Sequence, residues 1–360
     1  MKVAIVGGGI VGLTTALQLQ NELRNAQITV FATDFDNTVS HVAAGLFRIG
    51  SSYSGPTEKI TKEWIQNSYE YYDNIRKTKE APLAGITTIS GYMFANSSPE
   101  TVKSHWIEDL VPIYRRATEE EFNLVGGGWK YGSFFTTLLT ECKLHLPWAR
   151  KQLQDNGTKL IVRKLNSLKE LTFNWNLIFN CTGLGARSLC NDRHLVSMRG
   201  QVLKVKAPWM KTFFYGEVDT YIIPGFNGVV TLGGSRNFDS ENMKVCPYES
   251  AAIRERCENV VPALKKAELL REEVGLRPHR TQNVRVEAEW ITNEDSKAIV
   301  RFRQIYFDES VKIPLLTKYF VLQLVHNYGH GGYGVCTAPG TTKYAIHLAK
   351  EMHKSSVAKL

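Results

Sequence analysis

The chain opens on an apolar, β-branched run at residues 2–6, a glycine-bearing turn at 7–12, a stretch of helix-forming composition at 13–23 and a second apolar run at 28–31. Strand, glycine turn, helix and strand within about 30 residues have the size of one βαβ unit. Further on, the pattern predicts a polar, aromatic-rich helix over 59–76, a second helix over 134–154, and strands at 160–162 and 177–180. The middle of the chain is different: 199–205, 220–223 and 228–232 are β-branched clusters bounded by Gly and Pro, as strands of an antiparallel sheet are. A strand at 319–325, a glycine-rich turn at 329–334 and a helix at 341–352 close the pattern, and no internal repeat is present.

An early βαβ unit, a β-rich middle and a late strand-turn-helix predict an α/β fold. Its Rossmann-like cofactor domain is discontinuous, and an α+β substrate domain on a mainly antiparallel sheet is inserted into it. The cofactor domain is expected to take 1–50, 135–190 and 320–354, the substrate domain 51–134 and 191–319, and a tail 355–360.

With 360 residues, 43% hydrophobic and 22% charged, the chain has the composition of a folded globular enzyme. Its net charge of +9 is spread among interleaved acidic residues, so no nucleic-acid partner is expected. Six cysteines without a C-x-x-C pair or regular spacing predict neither a zinc site nor a disulfide framework. The apolar start is broken by Gly7, Gly8, Gly9 and Gly12, unlike a signal peptide, and no other run approaches the ~20 apolar residues of a membrane span. Ala358-Lys359-Leu360 is a near variant of the S-K-L address, so a peroxisomal import receptor is an expected partner and the peroxisomal matrix the expected location.

Gly7, Gly9 and Gly12 stand in G-x-G-x-x-G spacing between strand and helix. There the glycines permit a tight turn and close approach of backbone to a pyrophosphate, while the helix N-terminus offers N–H groups and partial positive charge. A ribose-binding acid belongs about 20 residues further on. Asp34 is near that place, but Thr33 directly follows the strand, so the acid is expected one position further on than usual. FAD and NAD both fit this loop.

Other segments are more selective. Val42-Ala43-Ala44-Gly45-Leu46, Asn180-Cys181-Thr182-Gly183, Arg199-Gly200-Gln201, Ala207-Pro208-Trp209-Met210-Lys211, Tyr221-Ile222-Ile223-Pro224-Gly225, Gly275-Leu276-Arg277-Pro278 and the run from His326 to Gly334 follow one another through nearly the whole chain. Together they resemble the signature segments of the D-amino-acid oxidase and D-aspartate oxidase family.

The resemblance implies non-covalent, extended FAD held by Gly7, Gly9, Ile10, Val11, Gly12, Thr33, Asp34, Ala43, Ala44, Gly45, Leu46, Leu165, Thr182, Gly183, His330, Gly331, Gly332, Gly334, Val335 and Cys336. It implies Arg277 as the anchor of the substrate carboxylate, since a guanidinium fork binds a carboxylate bidentately. Tyr221 would donate to the same carboxylate, and Gly332 would border the substrate. A metal at His326 and His330 is not expected, because glycines between and beside them oppose the helix that an i, i+4 ligand pair needs.

Enzymes of this family use no obligatory protein acid or base. The amine passes its α-hydrogen as hydride to flavin N5, oxygen reoxidises the flavin to give hydrogen peroxide, and the imine hydrolyses to a 2-oxo acid and ammonia. Arg236, Arg48 and the short segment 215–220 resemble the branch acting on D-aspartate and D-glutamate. The match is incomplete: Phe214 stands where that branch has an arginine, Ala338-Pro339-Gly340 replaces a tryptophan-bearing segment, and 289–316 is longer than usual. Oxidation of neutral or basic D-amino acids is the alternative.

Overall fold

The structure, a computed structural model, describes residues 1–292 and 321–357. In chain order its elements are β1 (Lys2–Val6), α1 (Ile10–Glu22), β2 (Gln27–Ala32), α2 (Glu58–Arg76), β3 (Ile86–Ala95), β4 (Ile113–Arg116), α3 (Glu119–Phe122), β5 (Tyr131–Thr140), α4 (Cys142–Asp155), β6 (Lys159–Val162), β7 (Leu177–Asn180) and α5 (Ala186–Leu189). They continue as β8 (Leu195–Lys206), β9 (Phe213–Tyr215), β10 (Tyr221–Pro224), β11 (Val229–Gly233), β12 (Asn237–Phe238), α6 (Pro247–Val260), β13 (Glu268–Arg280), β14 (Arg285–Thr292), β15 (Val321–Tyr328) and α7 (Gly334–Val357).

Two sheets organise these elements. The first has the order β14-β15-β7-β1-β2-β6, parallel from β15 to β6, with β14 antiparallel at one edge. The second has nine strands, β12-β8-β11-β10-β9-β3-β5-β4 with β13 also paired to β8, and is antiparallel except where β3 runs parallel to β9. The expected α/β architecture, a Rossmann-like unit with a mainly antiparallel substrate sheet, is therefore present. Loops at the C-terminal ends of β1 and β7 face the second sheet across the cavity described below, as ligand-binding crevices do in open α/β sheets.

The helix expected over 134–154 is two elements, β5 ending at Thr140 and α4 starting at Cys142. β5 lies between β3 and β4, and Phe135, Leu138 and Leu139 are fully buried. A strand buried on both faces loses the alternation that separates it from a helix. Residues 135–140 thus belong to the second sheet, and 285–292, expected with the substrate domain, form β14 of the first. Of the strand expected at 319–325, residues 319 and 320 lie outside the described residues, as do 293–316 of the long segment and Ala358-Lys359-Leu360.

The last helix starts at Gly334 rather than 341 and runs through Pro339. Proline cannot donate to the carbonyl four residues back. Here the hydroxyl of Tyr72 on α2 donates to that carbonyl, Val335 O, at 2.7 Å, and the next N–H, of Gly340, donates to Ser68 Oγ at 2.8 Å. Two side chains of α2 thus complete the hydrogen bonding that the proline interrupts. This binds α2, expected with the substrate domain, to the helix that follows the glycine turn.

Candidate active site

A cavity of about 1430 Å³ extends from the β1–α1 turn, past residues 43–46 and the 329–334 turn, to the face of the second sheet that carries Tyr221 and Arg277. Drug-sized ligands occupy roughly 300–1,000 Å³. This volume suits a dinucleotide with a small substrate at its end.

At the sheet end, register assembles an anion site. β13 pairs antiparallel with β8, Arg277 opposite Met198 and Gly275 opposite Gly200. Diagonal neighbours share a face, so the Arg277 side chain crosses Gly200. A Cβ at position 200 would stand 2.2 Å from both terminal nitrogens. Arg277 Nη1 donates to Ser235 O at 3.1 Å, and among the described residues no carboxylate pairs with Arg277. Its guanidinium fork is therefore open to an anion from the cavity.

Tyr221 on β10 faces Gly233 on β11 and Tyr215 on β9. Its ring stacks on Tyr215 with centroids 5.5 Å apart. Burial pushes the Tyr221 hydroxyl up to about 12, against the opposing pull of Arg277. It is a neutral O–H donor at physiological pH.

Arg48 and Arg236 also line the cavity, under different conditions. The Arg48 guanidinium sits 4.0 Å from the centre of the Tyr215 ring, its Nε donates to Met93 Sδ at 3.2 Å, and no described carboxylate pairs with it. Arg236 Nη2 donates to Asp219 Oδ1 at 2.6 Å, in a pair whose side chains are 44% and 28% exposed. Gly332 lies beside the stem of Arg277.

At the opposite end, α1 begins after Gly9, which supplies no side-chain cap. Ser40 Oγ accepts from Ile10 N at 3.1 Å. The N–H groups of Val11 and Gly12 lie in the first turn, where no intrahelical acceptor exists. A Cβ on Gly12 would stand 2.0 Å from Gly7 O, so the turn closes only around glycine. Thr33, Asp34, Ala43, Ala44, Gly45, Leu46, Leu165, Thr182, Gly183, His330, Gly331, Gly334, Val335 and Cys336 line the cavity between the two ends. These residues fit a dinucleotide with its diphosphate at the helix N-terminus.

The chain matches the family model described as FAD dependent oxidoreductase over residues 2–348. It is 33% identical to the D-aspartate oxidase of Homo sapiens over 352 residues, 97% of this chain and 95% of that protein. It is 29% identical to the D-amino acid oxidase of Dugesia ryukyuensis, with 98% of each chain covered. The chain belongs to the FAD-dependent oxidoreductase family. A solved structure of glycine oxidase from Geobacillus kaustophilus shares the fold, with a TM-score of 0.74 at 15% identity over 97% of this chain and 94% of that one. FAD is the cofactor of this oxidoreductase, and the lining just described is where it fits.

Two expected FAD contacts have protein partners of their own. The Asp34 carboxylate accepts from Asp36 N at 2.6 Å, Asn37 N at 3.1 Å and Asn37 Nδ2 at 3.0 Å, and these bonds lower its pKa. His330 Nε2 lies 3.0 Å from Thr341 Oγ1, and burial pushes the imidazole down to about 3, so the ring is neutral. Neither histidine of the expected non-metal pair is without a partner: His326 Nε2 lies 2.9 Å from Glu289 Oε1.

Several cavity residues were not legible in the sequence. Tyr215 and Asp219 flank the anion site, His279 packs its ring against Phe238, and the ion pair of Lys143 and Glu273 borders the cavity elsewhere. The nearest sequence signal was the brevity of 215–220, which brings Tyr215 and Asp219 to the mouth of β10.

Proposed function

We propose that the protein is a D-amino-acid oxidase that prefers acidic substrates, D-aspartate and D-glutamate. The observation that carries the oxidase reading is Arg277, a cavity-lining guanidinium with one backbone acceptor, no carboxylate partner among the described residues, and the neutral Tyr221 hydroxyl nearby; the acidic preference is carried by a further cavity-lining guanidinium, Arg236. Together they would receive the α-carboxylate, Arg277 by its fork and Tyr221 by its O–H. Arg236 would take the side-chain carboxylate of an acidic substrate, a contact that a neutral substrate cannot make. The names of the human and planarian relatives support the substrate class.

FAD, when bound, supplies the electron acceptor for the α-hydrogen and its electron pair. The chain's part is to fix the carboxylate so that the α-carbon is oriented, and to keep water from the buried wall behind it. Burial is the leading cause lowering each of the three cavity histidines, His41, His279 and His330, and so favours their neutral forms. The oxidised amine is an imine, which hydrolyses to a 2-oxo acid and ammonia. Return of the electrons to oxygen gives hydrogen peroxide, and Ala358-Lys359-Leu360 supports delivery to peroxisomes through the import receptor.

A second reading, preference for neutral or basic side chains, is favoured by the pairing of Arg236 with Asp219, which leaves that corner of the cavity electrically balanced. One assay separates the two: peroxide release by the FAD-supplemented protein with D-aspartate, D-glutamate, D-alanine, D-proline, D-lysine and the L-forms in parallel. Release mainly from the acidic D-forms is the expected result. Release mainly from the others selects the second reading, and release from none overturns both.

A further inference from the structure

The substrate end of the cavity carries three guanidinium groups, and only that of Arg236 has a carboxylate partner among the described residues. Its partner Asp219 is in the turn between β9 and β10, with φ of 53°. Arg236 follows Ser235, whose carbonyl accepts from Arg277 and whose hydroxyl donates to Glu249 Oε2 at 2.9 Å. The guanidinium of Arg236 thus hangs from a braced segment directly beside the anchor of the α-carboxylate. We propose that Asp219 is a specificity-determining residue: its carboxylate occupies Arg236 as an internal stand-in for the side-chain carboxylate of an acidic substrate, which binds by displacing it.

The proposal rests on the reading of Arg236 as the side-chain anchor and adds a competitor to it. Two carboxylates at a single guanidinium repel each other, so an incoming acidic side chain competes with Asp219, which holds Arg236 by one Nη2 contact. Both members of the pair are partly exposed, and exposed pairs contribute little stability. Displacement is therefore shallow and needs only rotation of the Asp219 side chain. A neutral substrate meets Arg236 already compensated and displaces nothing. Asp219 would thus narrow the advantage of acidic over neutral substrates while sparing the empty site an unmatched cation.

The test is Asp219→Asn, which keeps the shape and suits positive φ, with Asp219→Gly as a second variant that also tolerates that backbone. The ratio of KM for D-aspartate to KM for D-alanine should fall roughly two- to five-fold, the worth of an exposed pair, and in an Arg236→Ala background the same change should leave the ratio where it was. A ratio that stays constant or rises in the otherwise native protein overturns the proposal; a rise would mean that Asp219 positions Arg236 instead. Arg236→Ala alone tells the two levels apart. Equal damage to D-aspartate and D-alanine removes the side-chain anchor itself, whereas selective damage to D-aspartate without the Asp219→Asn effect removes only the competitor. Succinate and propionate, titrated against the flavin absorbance of the holoenzyme, give the corresponding ratio of Kd values without turnover and carry the same two outcomes.

Discussion

The Arg277 guanidinium lies against the backbone of Gly200 on the adjacent strand, where a Cβ would come within 2.2 Å of both terminal nitrogens. Gly200→Ala keeps β8, since alanine suits extended backbone, but pushes the fork off its place. Hydrogen bonds to a charged group contribute about 1.5–3 kcal/mol. We expect kcat/KM for D-amino acids to fall roughly 10- to 100-fold, with flavin content retained. Steady-state peroxide assays alongside the flavin spectrum check both parts.

Gly12→Ala addresses the other end of the cavity. Its Cβ would meet Gly7 O at 2.0 Å, a backbone atom that cannot step aside without opening the turn that receives the diphosphate. A ligand at 100 times its Kd stabilises a fold by about 2.7 kcal/mol. Native protein should melt higher with excess FAD than without it; in the variant the two melting curves should coincide and the purified protein should lose its flavin absorbance.

These two glycines differ in how far the sequence exposed them. Gly12 belongs to a local spacing that strand, turn and helix within 30 residues make readable. Gly200 stood in a recognisable segment, but its relation to Arg277 exists only through the β8–β13 register, which joins residues far apart in the chain. The same limit explains Asp219, whose importance depends on a partner from another loop. The buried strand β5 was read as helix because it lacks alternation, and the passage of α7 through Pro339 was hidden because Tyr72 and Ser68 come from a different helix. Local geometry was readable, whereas relations made by tertiary register were not.

Tyr221→Phe should weaken substrate binding without altering the fold, since the ring that stacks on Tyr215 is retained. Loss of one donor to a carboxylate raises KM on the order of 10-fold. Burial raises the folded-state pKa of Tyr221 from 10 to about 12. The hydroxyl therefore stays protonated where an ordinary tyrosine would ionise, and the KM difference between native and variant protein should hold nearly constant up to roughly pH 11. A difference already halved at roughly pH 10 and nearly gone by about pH 11 would show an ordinary phenol there.

His145 sets an acid limit on stability. It is fully buried between Tyr72 and Trp148, Nδ1 faces Ala84 O at 3.0 Å and so carries the proton, while Nε2 is buried with no partner among the described residues. Burial lowers its pKa from 6.5 to about 4. Below pH 6.5 the unfolded chain takes up a proton that the folded one refuses, so stability falls as pH falls until the folded pKa is reached. At pH 5 the difference is about 1.5 units, or on the order of 2 kcal/mol. His330, pushed down to about 3, adds a term of the same sign. Urea unfolding at neutral pH and at roughly pH 5 should show this loss. His145→Gln, which has no proton to gain, should recover about half of the part due to these two histidines. An unchanged pH slope in the variant would mean that His145 is protonated in the folded core.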